Sequence, residues 1–140
     1  MVWIFVALTV ALWGGAPIID KIALGSNKID PAIGVLIRGI TAAVVMGGVV
    51  AATGRAKELG SLDLRTAALF MVSALLAAAL GQWTYFQALK LGKASQVVPL
   101  CGTFPVVAAL LGFLVLRERV TLERVAGILL VVVGIWLVRR

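Results

Sequence analysis

Apolar residues run through this chain in long blocks, and the charged residues fall almost entirely between them. From Ala94 to Leu116 there are 23 positions without a charge, enough to cross a hydrocarbon core that takes about 20 helical residues. A buried helix of a soluble protein is rarely so long and so apolar all round. A short charged turn follows, Arg117-Glu118-Arg119-Val120-Thr121, and then a second apolar run that ends at Arg139-Arg140. The two runs read as a transmembrane hairpin with helices over 94–116 and 122–138, Ser95 serving as N-cap of the first.

The same pattern predicts three earlier membrane helices, over 2–20, 31–53 and 66–90. The opening run resembles a signal peptide, but no Lys or Arg precedes Lys21, so the positive leading region of such a peptide is missing. Gly14-Gly15 and Pro17 should loosen the second half of that first helix. Asp30-Pro31 is a good start for the second, because Asp can cap free amides and Pro is tolerated in the first turn. Ser61 or Asp63 can cap the third, and Leu91-Gly92-Lys93 makes a tight turn into the hairpin. The last helix is short: 14 uncharged residues separate Arg124 from Arg139, about 21 Å at 1.5 Å per residue. Glu123, Arg124 and Arg139 must then snorkel, or the bilayer must thin. The predicted fold is an all-α integral membrane bundle of five transmembrane helices, a single domain over residues 1–140.

Composition excludes several kinds of function. Hydrophobic residues make up 62% and charged residues 14%, against about 25% charged in globular proteins; the solvent is therefore lipid. The chain has no His, and Cys101 is its single thiol, so neither an internal disulfide nor a Cys/His metal site is available. There is no phosphate-cradling G-x-x-x-x-G-K-[ST] motif, no carboxylate pair in a core and no Ser/His/Asp set. No enzyme activity, cofactor or metal is expected. The net charge of +7 sits at the ends of apolar runs, as membrane-flanking charge does, and does not point to nucleic acid. With five helices, Arg55, Lys57, Arg65, Arg117, Arg119 and Arg124 fall on one side and Lys21, Lys28, Lys90, Lys93, Arg139 and Arg140 on the other. Six face six, so the Lys/Arg asymmetry that sets orientation is almost absent.

Arg38 is the most informative single residue. It lies seven positions into the second helix, about 10 Å below the surface, where a cation must pair, face water or snorkel. It either contacts an anionic group of a solute, or its long stem carries the guanidinium to helix-end carbonyls or the interface. Helical spacing puts Thr9, Trp13, Ala16 and Asp20 on one face; Gly34, Arg38 and Thr41 on another; Ala78, Gln82, Tyr85 and Leu89 on a third; and Gln96, Pro99 and Thr103 on a fourth. Polar groups in hydrocarbon turn toward a cavity or toward each other. The predicted substrate-binding set is Trp13, Arg38, Thr41, Gln82, Tyr85, Gln96 and Thr103; the alternative for each polar member is a hydrogen bond between helices. Trp83 and Tyr85 also suit an interfacial aromatic belt. Pro99 and Pro105 remove donors from the fourth helix and let it bend. Asp20 lies about 27 Å along a helix that starts at residue 2, near the far surface. No carboxylate then falls in a membrane core, so facilitated diffusion or exchange is expected rather than proton antiport. Gly127 and Gly134 share a face of the last helix, where small residues allow close approach either to another subunit or within the bundle.

Four stretches carry a resemblance: LWGGAPIIDKIAL (12–24), IRGITAAVV (37–45), YFQALKLGKASQVVPLCGTFPVVAALLGFLVLRERVTLERVAG (85–127) and ILLVVVGIWLV (128–138). In order and spacing they resemble the five-helix EamA-type repeat of the drug/metabolite transporters, over nearly the whole chain. The charged turn reads Arg117-Glu118-Arg119 and Arg38 is followed by Gly39, small departures from the family's usual G-E-R and R-F. Typical members have ten helices, so this chain is similar to one half. The resemblance implies a secondary transporter or exporter of small metabolites, multi-pass in the cell (inner) membrane, with the lipid bilayer and a small-molecule solute as partners. A single repeat lacks the inverted copy that alternating access uses. An antiparallel homodimer, packed through Gly127 and Gly134, would supply it. The alternatives are an obligate heterodimer half or a non-transporting partner subunit. The four-helix small multidrug-resistance relatives carry a buried Glu in helix one; Ala11-Leu12-Trp13-Gly14 has no acid there, so proton-coupled export of cationic drugs is not implied.

Overall fold

Asp30 caps the second helix as its position predicts: Ala32 N–H donates to Asp30 Oδ1 at 2.8 Å, and Pro31 opens the helix. In the computed structural model, which describes residues 2–26, 29–118 and 121–138, every regular element among the described residues is helical. Among the described residues, four helices are long and apolar enough to cross a membrane: Val2–Gly25, Pro31–Ala52, Leu64–Leu91 and Ala94–Leu116. A shorter one, Leu122–Val138, has 17 residues, about 25 Å of helix. Lys28, Arg119, Arg139 and Arg140 of the charge balance lie outside the described residues.

Helix α1 is Val2–Ser26 and corrects the expected end at residue 20. It runs through Gly14, Gly15 and a buried Pro17 and continues six residues past Asp20. The charges do not stop it because both find partners on neighbouring helices, described below. Helix α2 is Pro31–Ala52. The polar connection after it turns at Gly54, whose φ of 69° suits a residue without Cβ. It then forms a short helix α3, Ala56–Gly60, with an Arg55–Glu58 ion pair of 3.0 Å.

The third span is continuous but not uniform: helix α4, Leu64–Ser73, passes into a π-helical stretch, Ala74–Gly81, and then into helix α5, Gln82–Leu91. A Cβ at Gly81 would lie 2.7 Å from the Leu76 carbonyl oxygen, so the wide turn closes there on a residue that has none.

Asp63, not Ser61, caps α4: Thr66 N–H donates to Oδ1 at 2.8 Å and Thr66 Oγ1 to Oδ2 at 2.7 Å. The Thr66 amide, followed by its hydroxyl, holds the Asp63 carboxyl below its ordinary value of 3.8. A depressed carboxylate contributes stability that is present above the unfolded value and is lost as pH falls through the folded one. Weaker protection of the Thr66 amide, relative to the free-peptide exchange rate at the same pH, is therefore expected below pH 3.8, and Asp63→Ala should show it at every pH.

The charge-free run 94–116 is two helices. Helix α6, Ala94–Cys101, starts at Ala94 with Lys93 as N-cap, so Ser95 lies inside the first turn rather than at the cap. Helix α7 is Phe104–Leu116. Between them Gly102 and Thr103 turn, and Pro105 has no N–H for the carbonyl four residues back. Thr103 Oγ1 donates to the Leu100 carbonyl at 2.8 Å, which also accepts the Thr103 N–H at 3.2 Å. At the far end Arg117 takes a left-handed φ of 52°, and Glu118 N–H donates back to the Gly112 carbonyl at 3.2 Å. That closes α7 at the predicted charged turn. Helix α8 is Leu122–Val138.

The chain divides into two compact units, residues 1–90 and 91–140. In the first, the buried side chains gather at one end, where α1, α2 and α5 meet: Leu24, Phe86 and Leu89, with Pro31 beside them. Most other large apolar side chains are exposed, as lipid-facing residues are. In the second unit, α8 packs on α6.

Candidate functional site

One end of the first unit concentrates the polar chemistry. Asp20 is six residues before the end of α1, and Arg38 is seven residues after the start of α2. At 1.5 Å per residue both lie about 10 Å inside the same pair of helix ends. Being level, they meet: Arg38 Nη1 donates to Asp20 Oδ2 at 2.6 Å. Phe86, five residues before the end of α5, is 2% exposed. Its ring lies beneath the guanidinium, with Arg38 Cζ 5.5 Å from the ring centroid, within cation–π range.

The ring fits because Gly34, one turn before Arg38, has no side chain. A Cβ there would stand 2.9 Å from Phe86 Cε2 and 3.1 Å from Cδ2. Gly34, Phe86 and Arg38 therefore stack in that order, and Asp20 closes the stack from α1. Two lysines tie the rim. Lys21 Nζ donates to the carbonyls of Leu89 at 2.6 Å and Lys90 at 3.3 Å, placing a cation on the last turn of α5, where the helix dipole favours it. Lys90 Nζ donates to the Ile29 carbonyl at 3.0 Å.

The pair is unevenly covered. The Asp20 side chain is 15% exposed and that of Arg38 45%. Arginine offers five N–H donors, and a single N–H···O contact to Asp20 is formed. The open side of the pair is thus the cation, which can still accept a planar anion on its remaining donors.

Of the predicted substrate-binding set, Arg38 lies over Phe86, and Tyr85 is the chain neighbour of Phe86, their ring centroids 6.1 Å apart. Trp13 is on α1, seven residues before Asp20 and largely exposed. Thr41 donates its hydroxyl to the Ile37 carbonyl of its own helix at 2.8 Å. Gln82 is half-buried at the start of α5. Gln96 and Thr103 belong to the second unit, half-buried, the latter in the α6–α7 break. Sequence reasoning missed Asp20, Phe86 and Gly34 as members of the site. The apolar Ile22, Ala23 and Leu24 beyond Lys21 were the available signal that α1 continues and that Asp20 is internal.

The first unit also holds an open apolar groove of about 890 Å³, between Gly39, Ile40 and Ala43 of α2 and Ala74, Leu75 and Ala78 of the π-helical stretch. No member of the predicted substrate set lines it. In the second unit a groove of about 440 Å³ is lined by Gly102, Pro105, Val106, Arg124, Gly127 and Ile128, among others. A Cβ at Gly127 or Gly134 would meet nothing within 4 Å among the described residues.

Four long helices with exposed apolar faces define a multi-pass membrane protein. The chain belongs to the EamA-like transporter family, whose model matches residues 1–140. It is 33% identical over 111 residues to an uncharacterized transporter of Sinorhizobium sp., covering 79% of this chain and 78% of that one. It is 30% identical over 77 residues to an uncharacterized transporter of Archaeoglobus fulgidus, a match that covers 55% of this chain and 28% of the relative. That relative is thus about twice as long. An uncharacterized protein of Methanocaldococcus jannaschii is 41% identical over 56 residues, 40% of this chain and 41% of its own. No solved structure matches.

Proposed function

We propose that this chain is one subunit of a secondary transporter of small polar or anionic metabolites in the cell (inner) membrane, working by alternating access as an antiparallel homodimer. The observation that carries the reading is Arg38, an intramembrane cation 45% exposed beside its partner. An ion pair that only locked two helices would gain by hiding both charges; a solute site needs one left open. Alongside Arg38 and Tyr85, the reading keeps Trp13, Thr41 and Gln82 of the first unit as candidate solute contacts, and Gln96 and Thr103 as candidates on the second. Leu122–Val138 is the fifth crossing, reached by snorkelling of Arg124.

Two observations support pairing of two copies. The match to about a quarter of a relative twice as long is what one repeat of a two-repeat transporter gives. Gly127 and Gly134 leave room for another helix backbone. Counterflow of radiolabelled metabolites in proteoliposomes tests transport: saturable exchange is expected, and none above empty vesicles refutes it. Topology is tested by two C-terminal fusions, one reporting from the cytoplasm and one from outside. Comparable signals are expected from both. One silent reporter, still silent after a Lys is added to either side, contradicts opposite insertion.

A further inference from the structure

We propose that the groove between α8 and the α6–α7 break holds one anionic glycerophospholipid of the bilayer, its phosphate on Arg124 and one acyl chain along Gly127, Ile128 and Val131. These four residues share one face of α8, so that face carries a cation in its first turn and small or apolar residues beyond it. The facing wall is the break itself, with Gly102, Pro105 and Val106. A Cβ at Gly102 would stand 2.9 Å from the Pro99 carbonyl oxygen, and one at Gly127 would meet nothing within 4 Å among the described residues. Each wall thus has a residue without a side chain, and the space between them is about 440 Å³.

Arg124 is the one charged residue of that lining among the described residues. It is exposed, and its guanidinium forms no hydrogen bond or ion pair among the described residues. Against six Lys and Arg, residues 91–140 hold two carboxylates, Glu118 and Glu123. The Glu118 carboxylate lies against Gly112 of α7, and Glu123 is about 100° around α8 from Arg124. The uncharged part of α8 spans about 21 Å of a core of about 30 Å, so Arg124 must reach outward to the depth of the phosphates. A guanidinium engages phosphate through two parallel N–H···O contacts, and a basic pocket between membrane helices selects anionic head groups. From Arg124 to Val131 the groove runs about 10 Å along α8, most of the roughly 15 Å that one leaflet contributes to the core. A free phosphate would use the cation and leave the apolar walls bare. A second copy would do the reverse: antiparallel packing on Gly127 and Gly134 puts the one carboxylate of its α8, Glu123, beside Val138, about 21 Å from Arg124. One lipid satisfies both ends of the groove.

Photo-crosslinking in phosphatidylcholine nanodiscs tests the site. The probe is phosphatidylglycerol with a diazirine on one acyl chain, compared with phosphatidylcholine carrying the same chain, and adducts are mapped by mass spectrometry. Wild-type adducts should concentrate in peptides holding residues 102–106 and 127–131. Phosphatidylglycerol should give about fivefold more of them, the factor for about 1 kcal/mol per cation near an anionic head group. Arg124→Gln should bring the two yields within about twofold, because the head group loses its cation. Arg124→Lys, which keeps the charge, should hold most of the preference. Gly127→Leu takes the tail's place and should lower groove adducts from both lipids. Adduct yields on the first unit should not change in any variant, which reports intact insertion. Excess glycerol phosphate in solution should displace nothing. Equal wild-type yields from the two lipids, a preference that survives Arg124→Gln, or displacement by glycerol phosphate overturns the inference. So does a wild-type groove without adducts, the result expected if a second copy fills it. None of these readouts depends on transport, so the transporter reading stands or falls separately.

Discussion

Arg38→Ala is expected to abolish counterflow and to destabilise the first unit by about 1 kcal/mol, near the low end for leaving a partly buried polar group without its partner. The carboxylate left behind is 15% exposed and loses its one hydrogen-bonded cation; the low end applies because Arg38 itself is half open to its surroundings. Much of the loss is the penalty on the orphaned Asp20. The double variant Asp20→Leu/Arg38→Met should therefore recover most of the stability while remaining inactive. Thermal unfolding in detergent and counterflow on the same samples separate the two effects. Arg38→Lys divides the sequence-level alternatives for this residue. A snorkelling anchor is served equally well by Lys, whereas a solute contact that uses a planar fork is weakened. Lower affinity with near-normal stability is expected. Normal transport by both Arg38→Lys and Arg38→Ala would remove Arg38 from the site.

The second large effect is expected at Gly34. Gly34→Leu adds a branched side chain where even a Cβ stands 2.9 Å from Phe86 Cε2, and Phe86 is 2% exposed with no free space to enter. Overpacking of this kind costs about 1–3 kcal/mol, and the ring must leave its place under Arg38. Gly34→Leu/Phe86→Ala should be more stable than Gly34→Leu alone, although Phe86→Ala by itself costs about 3 kcal/mol. That reversal of sign is what two residues sharing one space produce. Equal losses that simply add in the double variant would mean that the two positions do not share it. Affinity for a transported solute should fall in all three variants, because each takes the Phe86 ring from its place under Arg38.

Much of the architecture was legible in the sequence, for a simple reason. In lipid the backbone must satisfy its own hydrogen bonds, so a long apolar run has to be a helix, and polar turn residues mark where it stops. The starts at Pro31 and Ala94, the turn at Leu91–Lys93 and the close of α7 at Arg117 all follow from local chemistry that one stretch of chain carries by itself. The same holds for Asp63 as a cap and for the weakness of 94–116 at Pro105: the missing N–H is a property of the residue.

What the sequence could not state was which charges would be neutralised by residues far along the chain. Read locally, Asp20-Lys21 ends a helix, because two charges in hydrocarbon are too costly to leave alone. In the structure Asp20 meets Arg38 and Lys21 meets the Leu89 and Lys90 carbonyls, so α1 continues to Ser26. The sign of the rule did not change; the partners lie 18 and 68 residues away, and only packing of α1 against α2 and α5 supplies them. Gly34 and Phe86 belong to the same category. A glycine in an apolar helix and a phenylalanine near a helix end are ordinary residues until the tertiary fold sets one against the other beneath a guanidinium. Residue chemistry and period thus determined the helices and singled out Arg38, while the identity of its neighbours, and with it the chemistry of the site, was decided by three helix ends meeting at one depth.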